Sequence, residues 1–386
     1  MVTALDEAGF SVEVVTGFPS FPDGFVAPAD RVFLRKTISA RARLTRVFTY
    51  ASPRLSGRSR LLNWFSVSIS IAAYVALRRH HYDYVLVTTP PITMALPAFV
   101  SRLRRSKLVV DVRDVFPDVA VKMGYWREGS AVTRIVGFLA AALYRSASLV
   151  LCVTHAALQE VVARGSDPAK TLLAANGFDP IEVAPVSPYY HGASEFVAAF
   201  VGNMGLATGL DVILDAAEIL KEDRGITFVL AGGGADKDRL AARVAERHLD
   251  NVRMIGVVSR PAANALLAGA DVSIVPLHPA IVDSIPTKIF DALMLGCAVV
   301  CCANGEARRV IERSGGGIVV TPNDPSELAG VLKELAASPQ RCVAYAASGR
   351  SYIERNFDRA RIMRGVAARL VAMSEQSKSL AERTAL

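Results

Sequence analysis

"FVAAFVGNMGLATGLDVILDAA" (residues 196–217) runs from an apolar strand pattern, through a turn carrying Gly202, Gly205 and Gly209, into a helical pattern at 209–221. Glycine at such a junction lets the backbone turn tightly or approach a ligand closely, and either use fits here. A strand feeding a helix through a short turn is the repeating unit of a parallel α/β layer. "ITFVLAGGG" (226–234) repeats the arrangement with Gly232, Gly233 and Gly234. Further strand patterns follow at 251–258, 271–277, 298–303 and 316–321, separated by helical patterns such as 236–248, 286–296 and 325–337. Towards the N-terminus the same alternation places strands at 11–17, 84–89, 107–114 and 148–154. Between them "DPIEVAPVSPYYHG" (179–192) holds three prolines without apolar periodicity and reads as a linker.

The expected fold class is therefore α/β, with two doubly wound domains facing a central cleft: residues 1–178, a linker at 179–192, residues 193–355, and a C-terminal helix at 356–386 returning to the first domain. Ligands of such sheets bind beyond the carboxyl ends of the strands, so the chemistry is expected between the lobes. The opening "MVTALDEAGF" reads as the end of a helix with no strand before it, and a first strand and its turn are expected to be missing.

The 386 residues are 52% hydrophobic and 21% charged, a globular balance with a formal net charge of +8. Residues 1–190 carry 22 Lys/Arg against 14 Asp/Glu, and residues 191–386 carry 22 against 22, so the whole excess lies in the first half. There Arg31, Arg35, Lys36, Arg41, Arg43, Arg46, Arg54, Arg58 and Arg60 follow one another with no acidic residue between them. Such a stripe attracts polyanions. Aromatic residues are not interleaved with it as base stacking would require, which points away from nucleic acid and towards an anionic membrane surface or a lipid diphosphate. "LLNWFSVSISIAAYVAL" (61–77) is uncharged, but Asn63, Ser66, Ser68 and Ser70 dilute it, and a buried or interfacial helix is expected rather than a membrane crossing. No signal peptide is expected. Five cysteines in mostly apolar runs, without metal-ligand spacing, read as reduced core thiols of a cytoplasmic protein.

"DSIPTKIFDALMLGCAVV" (283–300) carries the most chemistry. A helix starting near Pro286 puts Lys288 and Asp291 on one face and Ile289, Phe290, Leu293, Met294 and Cys297 on the other. Asp283 and Ser284 sit just ahead of the free amides of its first turn. A helix start with a cation beside it suits a phosphate or diphosphate. The bland alternative is an amphipathic helix with an i, i+3 ion pair.

The order of "GNMGLATGLD", "FVLAGGGADKDRL", "NVRMIGVVSRPAANALLAGADVSIVPL" and "SIPTKIFDALMLGCAVV" resembles family 4 of the retaining glycosyltransferases, of GT-B fold. "TGFPSFPDG" (16–24) and "DVRDVFPDVAVKMG" (111–124) resemble its bacterial subgroup that moves N-acetylated amino sugars such as fucosamine in O-antigen and capsule assembly. The resemblance implies a UDP-sugar donor, a polyprenyl-diphosphate-linked acceptor, a peripheral position on the inner face of the plasma membrane, and neither cofactor nor metal. The family's paired glutamates fall on Asp283 and Asp291, each one methylene shorter. Asp291 is then expected to face the ribose, and the residues Ser284, Ile285, Pro286 and Thr287 the donor sugar, with Gly202, Asn203, Gly205, Gly232 and Gly233 lining the nucleotide. The Arg and Lys that many members carry after the first strand of this domain are absent from Met204–Gly209, which leaves Lys288 as the cation for the leaving diphosphate. Asp114 stands where the family presents a polar residue to the donor sugar, although a turn or cap explains it equally. Gly17, Phe18, Pro19 and Arg113 are assigned to the acceptor side. Glu306 ranks below Asp283, and His155 reads as a helix cap. Two other functions share these features: a UDP-N-acetylglucosamine 2-epimerase, and a non-catalytic sugar-nucleotide-binding relic.

Overall fold

The computed structural model describes residues 1–20, 24–52, 57–179, 196–223 and 225–384. The linker expected at 179–192 lies, apart from Asp179, outside the described residues, as do Phe21–Asp23 and Arg54. The chain forms two units, Met1–Ala175 with Ala360–Leu386, and Asn176–Arg359.

The first unit runs α1 (Val2–Glu7), β1 (Glu13–Gly17), β2 (Leu34–Ile38), β3 (Arg43–Val47), α2 (Gly57–Leu77), β4 (Tyr84–Thr89), α3 (Ala95–Leu103), β5 (Lys107–Val112), α4 (Asp118–Lys122), α5 (Ala131–Ser146), β6 (Leu149–Cys152), α6 (His155–Ala163) and β7 (Thr171–Leu173). Its strands make two sheets where one was expected. β4–β5–β6–β7 is parallel throughout, while β1–β3–β2 joins a parallel pair to an antiparallel hairpin. Sequence reading misses β2 and β3 because Arg35, Lys36, Arg43 and Arg46 interrupt the apolar alternation that marks a strand. β5 and β6 are apolar on both sides and read clearly: Leu108, Val110 and Val112 face one core, Val109 the other.

α2 is long and apolar enough to cross a membrane, yet Ser68, Ile71, Ala72 and Val75 are buried within the unit, and Val47 of β3 packs with Ile71 and Val75. Glu13 ties the same elements together. Its buried carboxylate accepts from Thr45 Oγ1 (2.6 Å), Tyr74 OH (2.7 Å) and Tyr82 OH (2.8 Å), and pairs with Arg78. Burial pushes its pKa up, but the four donors outweigh burial and hold it at about 2.

The second unit holds β8 (Phe196–Val201), α7 (Asp211–Ile219), β9 (Ile226–Ala231), α8 (Lys237–Glu246), β10 (Val252–Gly256), α9 (Arg260–Gly269), β11 (Val272–Pro276), α10 (Thr287–Met294), β12 (Ala298–Cys302), α11 (Gly305–Ser314), β13 (Gly317–Val320), α12 (Pro325–Ala336) and α13 (Pro339–Asn356). All six strands are parallel in the order β10–β9–β8–β11–β12–β13. The order in which the chain adds strands therefore reverses between β8 and β11, the crevice where doubly wound sheets bind ligands. Alternation along β8 sends Phe196, Ala198 and Phe200 into one core with α7 and α12, and Val197 and Ala199 into the other with α9 and α10. After the second unit, α14 (Arg359–Thr384) packs Met363, Val366, Ala367 and Leu370 against Ala4, Val109, Leu149 and Leu151 of the first.

Candidate active site

α10 begins where Pro286, in extended conformation (φ −63°, ψ 133°), precedes Thr287. Its amides at Thr287 and Lys288 come before the helix can supply acceptors. Ile289, Phe290, Leu293 and Met294 are buried, with the Phe290 ring 4.8 Å from that of Phe357. That packing fixes the helix and turns Lys288 and Asp291 the other way.

Both line one recess of about 280 Å³ over the end of β8, whose other polar walls are Arg260 and Asn264 of α9 and Ser273 of β11. The two do not form the ordinary i, i+3 pair: among the described residues Lys288 has no carboxylate partner, and its ammonium lies 4.1 Å from the centre of the Phe200 ring. Burial pushes Lys288 down to about 8. Asp291 is pushed up by burial, an effect that Arg260 and Arg359 partly oppose. A depressed lysine at a helix start is a site waiting for an anion, because a bound diphosphate restores the charge that burial disfavours.

The glycine turns build this site by packing. A β-carbon on Gly202 (φ +145°) would come within 2.2 Å of Lys288 Cε, so only glycine lets the lysine lie across the end of β8. One on Gly232 (φ +144°) would stand 1.8 Å from the Gly202 carbonyl oxygen, which shows how closely the two turns nest. The amides of Gly202 and Gly232 already donate to Ala231 O (2.9 Å) and Gly256 O (2.7 Å), so these two residues shape the site without offering donors to a phosphate. Asn203 is exposed and Gly205 half-buried beyond the same strand, and Gly233 packs beside Val257.

The loop from β11 to α10 is anchored at both ends, by His278 N–H to Ala207 O (3.0 Å) and Glu306 N–H to Val282 O (2.8 Å). Asp283 and Ser284 follow the second anchor, half-buried, and Ile285 is buried. Glu306 itself is 5% exposed and paired with Arg309 at 2.8 Å, a structural position.

In the first unit, Gly17, Phe18 and Pro19 line a second recess, of about 440 Å³, with Arg46, Thr49 and Asn63. Arg113 lies apart from it, bonded to Asp111 Oδ2 at 2.8 Å, and Asp114 is half-buried two residues past the end of β5. The cap of α6 is Thr154, whose hydroxyl accepts from Ala157 N–H (3.1 Å); His155 is the first helical residue.

Sequence reading did not single out Arg260, Asn264 and Ser273, nor tie Arg46, Thr49 and Asn63 to a pocket. The signal for Arg260 was present: Ser259 and Pro261 in "SRPAA" mark a helix start directly after a strand.

Two family models match, "Glycosyl transferase 4-like domain" over residues 1–177 and "Glycosyl transferases group 1" over residues 191–352. Among curated relatives, the probable glycosyltransferase WbjE of Pseudomonas aeruginosa is 26% identical over 72% of this chain and 71% of its own length. The putative colanic acid biosynthesis glycosyl transferase WcaI of Escherichia coli K12 is 24% identical over 94% of this chain and 92% of its own. Among solved structures, sucrose-phosphate synthase of Thermosynechococcus elongatus shares the fold at TM-score 0.72, with 19% identity over 98% of this chain and 91% of that one. HepE of Anabaena, solved with UDP, shares it at TM-score 0.64, with 21% identity over 78% and 82%. With one domain model on each half and a strand order and switch-point recess that fit them, the chain belongs to the family 4 glycosyltransferases of GT-B fold.

Proposed function

We propose that the protein is a retaining glycosyltransferase that moves an N-acetylated amino sugar from a UDP donor to a polyprenyl-diphosphate-linked saccharide during assembly of a surface polysaccharide, working from the cytoplasmic face of the membrane. The observation that carries this reading is Lys288, without a carboxylate partner among the described residues and with its pKa lowered by burial, sharing a recess with Asp291 at the point where the strand order reverses. The neighbours solved with UDP and UDP-glucose support the donor class, and the relative named for colanic acid biosynthesis supports a role in polysaccharide assembly.

In this reading the ribose hydroxyls meet Asp291, and the diphosphate lies at the start of α10 against Lys288. The acceptor hydroxyl attacks the anomeric carbon on the face from which the diphosphate departs. The bond from that carbon to the phosphate oxygen breaks, a new glycosidic bond forms, and the hydroxyl proton passes to the departing phosphate oxygen. Retention follows without a dedicated base. The protein's contribution is electrostatic, since charge grows on the diphosphate as the bond breaks and the ammonium and oriented amides are in place before it does.

The test is a panel of UDP-N-acetylhexosamines with a short polyprenyl-diphosphate sugar as acceptor. Lys288→Ala is expected to lower turnover about 10²- to 10³-fold, the range for removing one such charge stabiliser. Wild-type turnover in the variant refutes the role of Lys288. Epimerised donor without acceptor would instead favour the 2-epimerase, and donor binding without transfer the relic.

A further inference from the structure

The chain enters the second unit at Asn176 and leaves it after Arg359, and the two end segments of the unit are laced together. Phe178 and Asp358 form a parallel bridge, in which Phe178 N–H donates to Phe357 O (3.0 Å) and Arg359 N–H to Phe178 O (3.2 Å). The Arg359 side chain then reaches back over the bridge, Nε donating to Gly177 O (3.1 Å) and Nη1 to Asp179 Oδ2 (2.7 Å). A β-carbon on Gly177 would stand 2.5 Å from Phe357 O, so the segments lie this close only with glycine there. A planar guanidinium engaged by a carbonyl and a carboxylate at once is held in one orientation.

This strap is mounted on α10. The Phe357 ring lies 4.8 Å from that of Phe290 and 6.1 Å from that of Tyr352, and Phe178 is buried in the same core as Phe290. Asp291 is the next residue of the helix, so the packing that seats Phe290 against the strap also sets the carboxylate that lines the recess. The charges of the strap reach it. Burial pushes the Asp291 carboxyl up, Arg260 and then Arg359 pull it down, and Asp179 acts more weakly in the sense of burial. Lys288 shares its helix, and β8 and β11 bring to the recess Val201 and Ser273, which carry no charge. The two arginines differ in kind. Arg260 is an exposed wall of the recess, open to a ligand, whereas Arg359 stands outside those walls and is tied down. A cation already fixed before a ligand arrives is what keeps a buried acceptor ready for use.

We propose that Arg359 is a positioning residue of the donor site: locked between the two end segments of the unit, it holds the Asp291 carboxylate in place as the acceptor of the nucleotide's ribose hydroxyls. The proposal deepens the donor part of the functional reading and rests on it for the ribose at Asp291.

The experiment is calorimetry of the full chain with UDP and with 2′,3′-dideoxy-UDP, which lacks both ribose hydroxyls, across a series of pH values. Wild type is expected to prefer UDP. Arg359→Gln should bind UDP about three- to tenfold more weakly, the loss of roughly one charge-assisted contact, and the dideoxy nucleotide about as well as wild type does. As the pH falls the variant should lose UDP before wild type, because without the guanidinium burial protonates Asp291 at a higher pH. Comparing the two proteins at each pH cancels the titration of the diphosphate itself. Arg359→Lys keeps the charge and should follow the wild-type profile. Equal loss of both nucleotides in Arg359→Gln, a pH profile that does not move, or a lysine variant that folds as wild type yet follows the Gln profile would each overturn the proposal. If wild type binds both nucleotides equally, the ribose does not lie at Asp291 and the donor reading falls with the proposal; if it prefers UDP and Arg359→Gln keeps that preference in full, only the positioning role falls.

Discussion

Replacing Lys288 by Met is expected to make the second unit more stable while weakening its hold on UDP. Holding the lysine at about 8 instead of 10.5 costs the folded state about 3 kcal/mol at any pH below 8. The contact with the Phe200 ring offsets about 1 kcal/mol of that, so a thioether of similar length should gain about 2 kcal/mol at pH 7. The sign with pH follows from linkage. Between about 8 and 10.5 the unfolded chain holds a proton that the native lysine has released, so wild-type stability rises with pH across that window, and the advantage of the variant shrinks. Tryptophan fluorescence does not follow this unit, because Trp64 and Trp126 both lie in the first. Urea unfolding with pulsed hydrogen exchange, read on peptides from β8 and α10, does. A Lys288→Met protein no more stable than wild type at pH 7, or equally ahead at pH 7 and pH 10, would refute the reasoning.

Glu13→Gln should cost the first unit about 3 kcal/mol at pH 7, since a carboxylate held at about 2 against an ordinary 4.5 stabilises the fold above 4.5 and loses that contribution as the pH falls towards 2. Tryptophan fluorescence reads it, and an unchanged acid midpoint would contradict it. Phe290→Ala removes a side chain packed between the sheet and Phe357, and should lower stability by about 3–5 kcal/mol in hydrogen exchange of α10. Gly232→Ala forces a β-carbon to 1.8 Å from the Gly202 carbonyl oxygen, and a loss of about 2 kcal/mol or more is expected together with weaker UDP binding. Wild-type affinity and melting in that variant would mean the two turns do not shape the site.

The second unit was legible because its strands are buried on both faces. Runs such as "FVAAFV" and "AVVCC" carry no charge, and the glycines after β8 and β9 mark the turns. The first unit was less so. Its hairpin carries the cations that bind or repel, and alternation of Arg with Leu or Val reads as a charged loop until the pairing of Arg35 with Arg46 is seen. The placement of Lys288 against Asp291 followed from helical spacing alone. That the lysine would lie over Phe200 instead of pairing with Asp291 did not, because it depends on the open space above Gly202. Arg260 and Ser273 come to the recess from separate elements, and no spacing within one segment could bring them together.

Proton uptake on UDP binding tests the central claim most directly, measured by calorimetry at pH 8.5 in buffers of different ionisation enthalpy. With Lys288 at about 8 in the free protein and fully protonated against a diphosphate, wild type should take up about 0.8 proton per UDP, and Lys288→Met none. Binding of UDP with no uptake in wild type, or the same uptake in the variant, would place the diphosphate somewhere other than the start of α10.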